Sequence, residues 1–399
     1  MALRSRTASE PRERDEGLDE KDRSLTTTLS VVIPCFNEAS TLEPCIERVR
    51  AISSPDLDLE IVIVDDASTD GSLLQARDLE RRYDNIRVLT HDRNRGKGAA
   101  LRTGFREVTG DYVAVQDADL GYDPGDLVRL LTPPREGRAD VVLGSRSLSG
   151  GAHRVLYFWH SLMNALLTIM SNAFTDLSLT DMETCYKVFR RDVIQSIEIE
   201  ENRFGFEPEI VAKLADRRLR IYEMGISYDP RTYEEGKKIT IKDGLRALYC
   251  IVRYNANSTP AALQFLLYLL IGMTAGLVNV LTFALLDAFG WGLAPAVATA
   301  FLVAAAFNYW LCIELLFHAH SRWTPTRERI VYGAVVLAIG LVDYAATRGL
   351  IGAGFSAFWA KTVATALLPV INFAARRFVV FGVIERGPRQ SGTVEQTRE

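Results

Sequence analysis

Tyr112-Val113-Ala114-Val115-Gln116-Asp117-Ala118-Asp119 is the stretch on which the reading of this chain turns. Its first four residues are aromatic, β-branched or small, which suits a buried strand. Two carboxylates, one residue apart, follow directly. Similar runs lie around it at Ser30–Ile33, Glu60–Val64, Ile86–Leu89 and Val141–Leu143. Between them Thr41–Ile52, Ser72–Tyr83 and Lys97–Val108 suit helices. Buried apolar strands separated by helices predict an α/β domain with a mostly parallel sheet. Ligands of such sheets bind beyond the C-terminal strand ends. The turns at those ends hold Asn37-Glu38, Asp65-Asp66 and Asp117-Ala118-Asp119, so amides and carboxylates gather where a ligand is expected.

Asp117 and Asp119, so spaced on a strand end, can face a divalent cation together, and hard oxygen ligands suit Mg2+ or Mn2+. A cation there can bridge a pyrophosphate and neutralise its charge as it departs. A solvated acidic turn has the same letters, so the surroundings decide. After the second strand comes Val64-Asp65-Asp66-Ala67-Ser68-Thr69-Asp70-Gly71. Asp66 is assigned to a base or ribose hydroxyl, as carboxylates serve in other α/β nucleotide sites. Asp70 is assigned to capping the next helix, a role open to Ser68 as well. Asn94-Arg95-Gly96-Lys97-Gly98 brings glycines and a cation to a helix start, a place that favours phosphate and equally suits a plain turn.

The chain has 399 residues, 48% of them apolar and 24% charged, and a net charge of −4, which gives no reason to expect nucleic-acid binding. Its five cysteines are scattered without C-x-x-C spacing, which argues against a disulfide framework or zinc site and fits a reducing compartment. Residues 1–27 are rich in Arg, Glu and Asp and read as a disordered tail, as do residues 384–399.

Charge is concentrated before residue 256, and the stretch from Pro260 to Gly382 carries little. Residues 260–286 and 288–313 contain no charge, and each exceeds the roughly 20 apolar residues a bilayer crossing needs. Ile330–Ile351, interrupted by Asp343 and Arg348, and Phe355–Ala375, with Lys361, bring the expected spans to four. Lys and Arg placement predicts a multi-pass cell-membrane protein with the α/β domain and both termini cytoplasmic. Val155–Phe174 reads as an amphipathic helix. Leu156, Trp159, Met163, Leu166, Met170 and Phe174 lie on one side, and His160, Asn164, Thr168, Ser171 and Asn172 on the other. It either packs on the sheet or lies in the membrane interface. At residues 241–258, Ile241, Leu245, Leu248 and Val252 alternate with Lys242, Arg246 and Arg253, which suits anionic headgroups.

Taken in order, these motifs over residues 29–256 resemble family-two glycosyltransferases with the GT-A fold. They are similar in particular to dolichyl-phosphate mannose synthases and polyprenyl-phosphate glucosyltransferases. The resemblance implies Pro34, Phe36, Glu38, Val64 and Asp66 around a nucleotide, and Asp117, Ala118 and Asp119 around metal and diphosphate. It implies Arg146 on a lipid phosphate, Asp181 as the acidic residue near the acceptor, and Arg231 and Lys237 of a closing loop on phosphates. Many relatives have Gln where this chain has Gly121, so water or Asp123 is left to complete the metal shell. Residues 259–383 resemble a GtrA-like four-span module, which makes residues 28–240 the catalytic domain. The implied reaction is transfer of one hexose from GDP-mannose or UDP-glucose to dolichyl or polyprenyl phosphate at the bilayer. A processive polysaccharide synthase is the nearer alternative, and a lipid-linked sugar flippase with a donor-sensing domain the more distant one.

Overall fold

A computed structural model describes residues 26–148, 154, 155, 157–229, 241–255, 259–316, 325–356, 359, 363 and 369–380. Arg231, Lys237, Lys361 and nearly all of both expected tails lie outside the described residues. The chain divides into two units, Met1–Phe158 with Glu183–Phe206 and Leu219–Lys238, and Trp159–Met182 with Glu207–Arg218 and Ile239–Glu399.

The first unit is built on one sheet. Its strands are β1 (Thr27–Cys35), β2 (Leu57–Asp65), β3 (Ile86–Thr90), β4 (Tyr112–Val115), β5 (Val141–Ser145), β6 (Lys187–Arg190) and β7 (Ile221–Gly225). They lie in the order β3-β2-β1-β4-β6-β5-β7. All neighbours are parallel except β6, which runs antiparallel between β4 and β5. The mixed, mostly parallel sheet is the one expected of a GT-A domain. Val31 to Ile33, Ile61 to Val64, Val113 to Val115 and Val141 to Leu143 are fully buried, as strands covered on both faces must be. Between the strands run α1 (Leu42–Arg50), α2 (Ser72–Arg82), α3 (Lys97–Glu107) and α4 (Gly125–Arg135). Helix α3 approaches β1 closely because Gly104 has no side chain; a Cβ there would come within 2.4 Å of Val32 Cγ1.

The sequence pattern does not announce β6 and β7. In β6 the buried Lys187 interrupts the apolar run, and its ammonium turns back to the Thr184 carbonyl. In β7 the residues are half-exposed, with Glu223 in mid-strand.

The second unit contains most of α5 (Phe158–Thr175) and of α6 (Phe206–Asp216), with α7 (Ile241–Asn255), α8 (Ala261–Ala288), α9 (Leu293–Leu311) and α10 (Pro325–Gly352). Two π-helical segments, Cys312–Leu316 and Arg376–Val380, belong to it too. Helix α5 turns its polar side inward. Thr168 and Ser171 are buried while Trp159 is 74% exposed and Ile169 63% exposed, alongside Met163 and Leu166. The inward side closes on the following loop: Asn172 exchanges two hydrogen bonds with Leu179 and Thr168 Oγ1 accepts from the Met182 N–H. Helix α7 likewise buries Ala247, Cys250 and Ile251 and leaves Leu245 outside. Among the described residues, Ala261–Ala288 and Thr299–Leu316 are long and apolar enough to cross a bilayer, and Ile330–Ile339 is a shorter apolar stretch.

Candidate active site

Three strand ends and one helix start make the site, all in the first unit. The β1 and β2 turns are stitched together by Asn37 and Asp70. Asn37 sits at φ +52°, accepts from the Thr69 N–H at 2.8 Å, and its own N–H donates to Ser68 Oγ at 3.0 Å. Asp70 accepts from the N–H of Ala39 at 3.0 Å and from Ser72 through both N–H and hydroxyl. The N-cap of helix α2 is Gly71, not the expected Asp70, which instead accepts from the first helical residue and ties the β1 turn to it. Half-buried Pro34, Phe36 and Glu38 line this edge, while Val64 is fully buried beneath it.

Asp66 is only 2% exposed and is held by the chain itself. Its carboxylate accepts from the N–H groups of Arg95 at 2.9 Å and Gly96 at 2.6 Å, and His91 Nδ1 lies 2.6 Å away. The far nitrogen of His91 meets Thr103 Oγ1 at 3.0 Å. Asp66 is thus the anchor of the glycine loop. Gly96 needs to be glycine on two counts: its φ is +96°, and a Cβ would meet the Asn202 carbonyl at 2.3 Å. His91 escaped the sequence reading, although its place directly after β3 is the signal that could have found it.

Lys97, the first residue of α3, reaches the end of β4, where its Nζ stands 2.9 Å from Asp117 Oδ1. Asp117 and Asp119 are half-buried, and Ala118 between them is buried. Asp119 Oδ1 accepts from the Gly121 N–H at 2.9 Å. Gly121 has a structural reason: a Cβ would lie 3.1 Å from the Asp229 carbonyl, where Tyr228 pairs with Tyr122 across an antiparallel bridge. Asp123 caps its own turn through the Gly125 N–H at 3.0 Å. Among the described residues no three His, Cys, Asp or Glu gather to cage a metal. The carboxylate pair still fits Mg2+ or Mn2+, since such ions are often held by one or two carboxylates and fill the shell with water and substrate phosphate.

A column of rings links β4 to β5. Tyr186 OH donates to Gln116 Oε1 at 2.6 Å, Tyr186 stacks on Tyr122 at 4.6 Å, and Tyr122 meets Tyr228 at 4.8 Å. The Arg146 guanidinium caps the column, 5.2 Å from the Tyr228 ring. Burial pushes the Tyr122 and Tyr228 hydroxyls up, with the Arg146 charge opposing it, and the Tyr122 hydroxyl accepts from the Cys185 N–H at 3.2 Å. Burial, then the Asp65 carboxylate, raises the Cys35 thiol to about 12; burial and Asp117 do the same to Cys45. Neither is a nucleophile at neutral pH.

Asp181 belongs to the second unit, where it is fully buried and accepts from Asn164 Nδ2 at 3.1 Å.

Residues 30–198 match glycosyl transferase family 2, and residues 267–381 match the GtrA/DPMS transmembrane domain. The chain is 33% identical over 238 residues to the low-salt glycan biosynthesis hexosyltransferase Agl6 of Haloferax volcanii, covering 58% of this chain and 55% of that protein. It is 26% identical over 256 residues to a dolichol-phosphate mannosyltransferase of Pyrococcus furiosus, covering 63% and 70%. It is 28% identical over 212 residues to a dodecaprenyl-phosphate galacturonate synthase of Rhizobium johnstonii, covering 52% and 61%. The chain thus spans between 55% and 70% of the length of these relatives. Its first domain belongs to glycosyl transferase family 2, and a GtrA/DPMS transmembrane domain follows it and makes the chain a membrane protein.

Proposed function

We propose that the chain transfers one hexose from a nucleotide-sugar to dolichyl or polyprenyl phosphate, with inversion at the sugar C1. The observation that carries this reading is the Lys97, Asp117 and Asp119 group at a strand tip of a family 2 domain, in one chain with a GtrA/DPMS membrane domain. Two relatives named for dolichol-phosphate and dodecaprenyl-phosphate products favour the acceptor class. GDP-mannose and UDP-glucose are the donors proposed.

Pro34, Phe36, Glu38 and Val64 would border the nucleoside, with Asp66 acting through the loop it anchors. Asp117 and Asp119 would hold Mg2+ or Mn2+, which when bound neutralises charge on the departing diphosphate. Lys97 adds a second positive charge at a helix N-terminus, where phosphate oxygens are favoured. The attacking group is a phosphate monoester, whose second pKa of about 6 leaves it mostly anionic near pH 7. Asp181 then needs only to position its partner. Arg146, with Arg231 and Lys237, would offset repulsion between acceptor phosphate and donor diphosphate.

The exposed apolar row of α5 and the basic residues of α7 suit a bilayer interface, from which a lipid acceptor comes. The domain is proposed to make four crossings with its catalytic part cytoplasmic. A panel of labelled nucleotide-sugars, each given to purified full-length protein with polyprenyl phosphate and Mn2+, tests the reading. One donor should yield a chloroform-soluble sugar phosphate. Extension to a polymer, or no lipid product with any hexose donor, contradicts it.

A further inference from the structure

Arg376 opens the second π-helical segment and is buried within the membrane domain, 5% exposed. Its Nη1 donates to Asn308 Oδ1 at 2.6 Å and lies 3.3 Å from Cys312 Sγ, and its Nε donates to Asn372 Oδ1 at 3.1 Å. The guanidinium stands 4.7 Å from the Tyr332 ring centre and 5.4 Å from that of Tyr268. All these partners are neutral. Among the described residues no carboxylate pairs with Arg376, and Tyr332 shares a further side-chain hydrogen bond with it. Arg253 of the same unit makes the contrast, since it is paired with Glu314.

An arginine does not lose its proton in a protein, so the charge is permanent. Amide oxygens and ring faces solvate such a charge but do not cancel it, and an uncancelled charge in a bilayer is costly and marks function. The depth matters as well. Helix α8 has 28 residues, about 42 Å at 1.5 Å per residue, close to the thickness of a bilayer with its headgroups. Tyr268 lies seven residues beyond Ala261, about 10 Å along it, near the inner edge of a headgroup layer. Asn308 approaches the opposite-running end of α9 at Leu311. Both π-helical segments contribute here, one through Cys312 and one through Arg376, and such irregular turns concentrate at functional sites.

We propose that the Arg376 cluster binds the phosphate of a membrane lipid. The guanidinium fork offers its unused N–H groups to phosphate oxygens, Asn308 and Asn372 fix its plane, and the apolar wall of Phe265, Ile271 and Phe373 takes the adjoining chain. An isoprenoid phosphate and a glycerophospholipid share this chemistry. The site stands on the membrane domain alone and not on the transfer reaction.

Photo-crosslinking of the full-length protein in phosphatidylcholine nanodiscs tests it, using a diazirine-bearing isoprenyl phosphate and the matching neutral isoprenol. The phosphate form should label peptides from 261–288 or 369–380 at least tenfold more than the alcohol. Arg376→Met should abolish that difference, and Asp119→Ala, which disables transfer, should leave it intact. Displacement by unlabelled phosphatidylglycerol assigns the site to bulk anionic lipid. Displacement by isoprenyl phosphate only assigns it to the isoprenoid. Equal labelling by phosphate and alcohol, native labelling in Arg376→Met, or displacement by inorganic phosphate alone overturns the proposal. Should Arg376→Met not fold, Arg376→Lys decides: at least a threefold loss is expected, and unchanged labelling contradicts the site.

Discussion

Lys97 Nζ stands 2.9 Å from Asp117 Oδ1, so the cation that begins helix α3 is already seated on a carboxylate two residues past β4. Both side chains are largely buried, at 13% and 26% exposure, so this contact is screened less than a surface pair. It offsets one of the two strand-tip carboxylates before any ligand arrives. Under the proposed function, a nucleoside diphosphate would meet a lysine able to change partners, from carboxylate to phosphate.

Lys97→Met removes the ammonium proposed to meet phosphate while keeping most of the side chain's length. The KM for the nucleotide-sugar should rise about tenfold or more, equivalent to roughly 1.4 kcal/mol. Steady-state kinetics on membranes with labelled donor check this. An unchanged KM separates Lys97 from the donor.

Asp66→Ala strips the acceptor from the Arg95 and Gly96 N–H groups and from His91. A fully buried donor left unsatisfied costs about 1–3 kcal/mol, and these part-buried ones cost less. The thermal midpoint of the full-length protein should fall by several degrees, and His91→Ala should fall by less. Equal stability of Asp66→Ala and native chain contradicts the anchoring role.

The parallel core was legible because Val31 to Ile33, Ile61 to Val64 and Val113 to Val115 are uninterrupted apolar runs bounded by turns. Strand β6 was not, because its Lys187 is buried and satisfied by a backbone carbonyl three residues back, an arrangement no local pattern reveals. The carboxylates at the strand tips were legible for the same reason as the strands. Their partners were not. Lys97 and Asp117 are twenty residues apart, and the Tyr186, Tyr122 and Tyr228 column joins three separate segments. In α5 the amphipathic period was right and the facing was not given: the polar residues went inward because Asn172, Thr168 and Asn164 bond the loop that ends in Met182.

Arg146 rests on Tyr228, so its aim depends on that ring. Tyr228→Ala should raise the KM for polyprenyl phosphate in the same direction as Arg146→Ala, with the donor KM little changed. Bisubstrate kinetics with a short-chain polyprenyl phosphate separate the two constants. A donor-side effect alone contradicts the placement of Arg146 on the acceptor.

Asp140 is gripped by Arg220, whose guanidinium donates at 2.7 and 3.0 Å and whose N–H donates at 2.9 Å. The Arg220 hydrogen bonds hold its carboxyl below the usual range, with burial opposing them. Because the folded pKa is depressed, this stabilisation is complete above the unfolded value of about 3.9 and is lost as pH falls through the lower folded value. Asp140→Asn should therefore lower the thermal midpoint at pH 7 and converge with the native chain as pH falls below the unfolded value of about 3.9. A constant difference across that range contradicts the pairing.

The most direct measurement compares native chain and Asp119→Ala, both full length and folded, for transfer of labelled hexose to polyprenyl phosphate with Mn2+ supplied. Loss of at least about a hundredfold in rate, comparable to removing one preorganised charge-stabilising group, is expected. Equal production of sugar lipid by both proteins would show that the strand-tip carboxylates do not carry the chemistry.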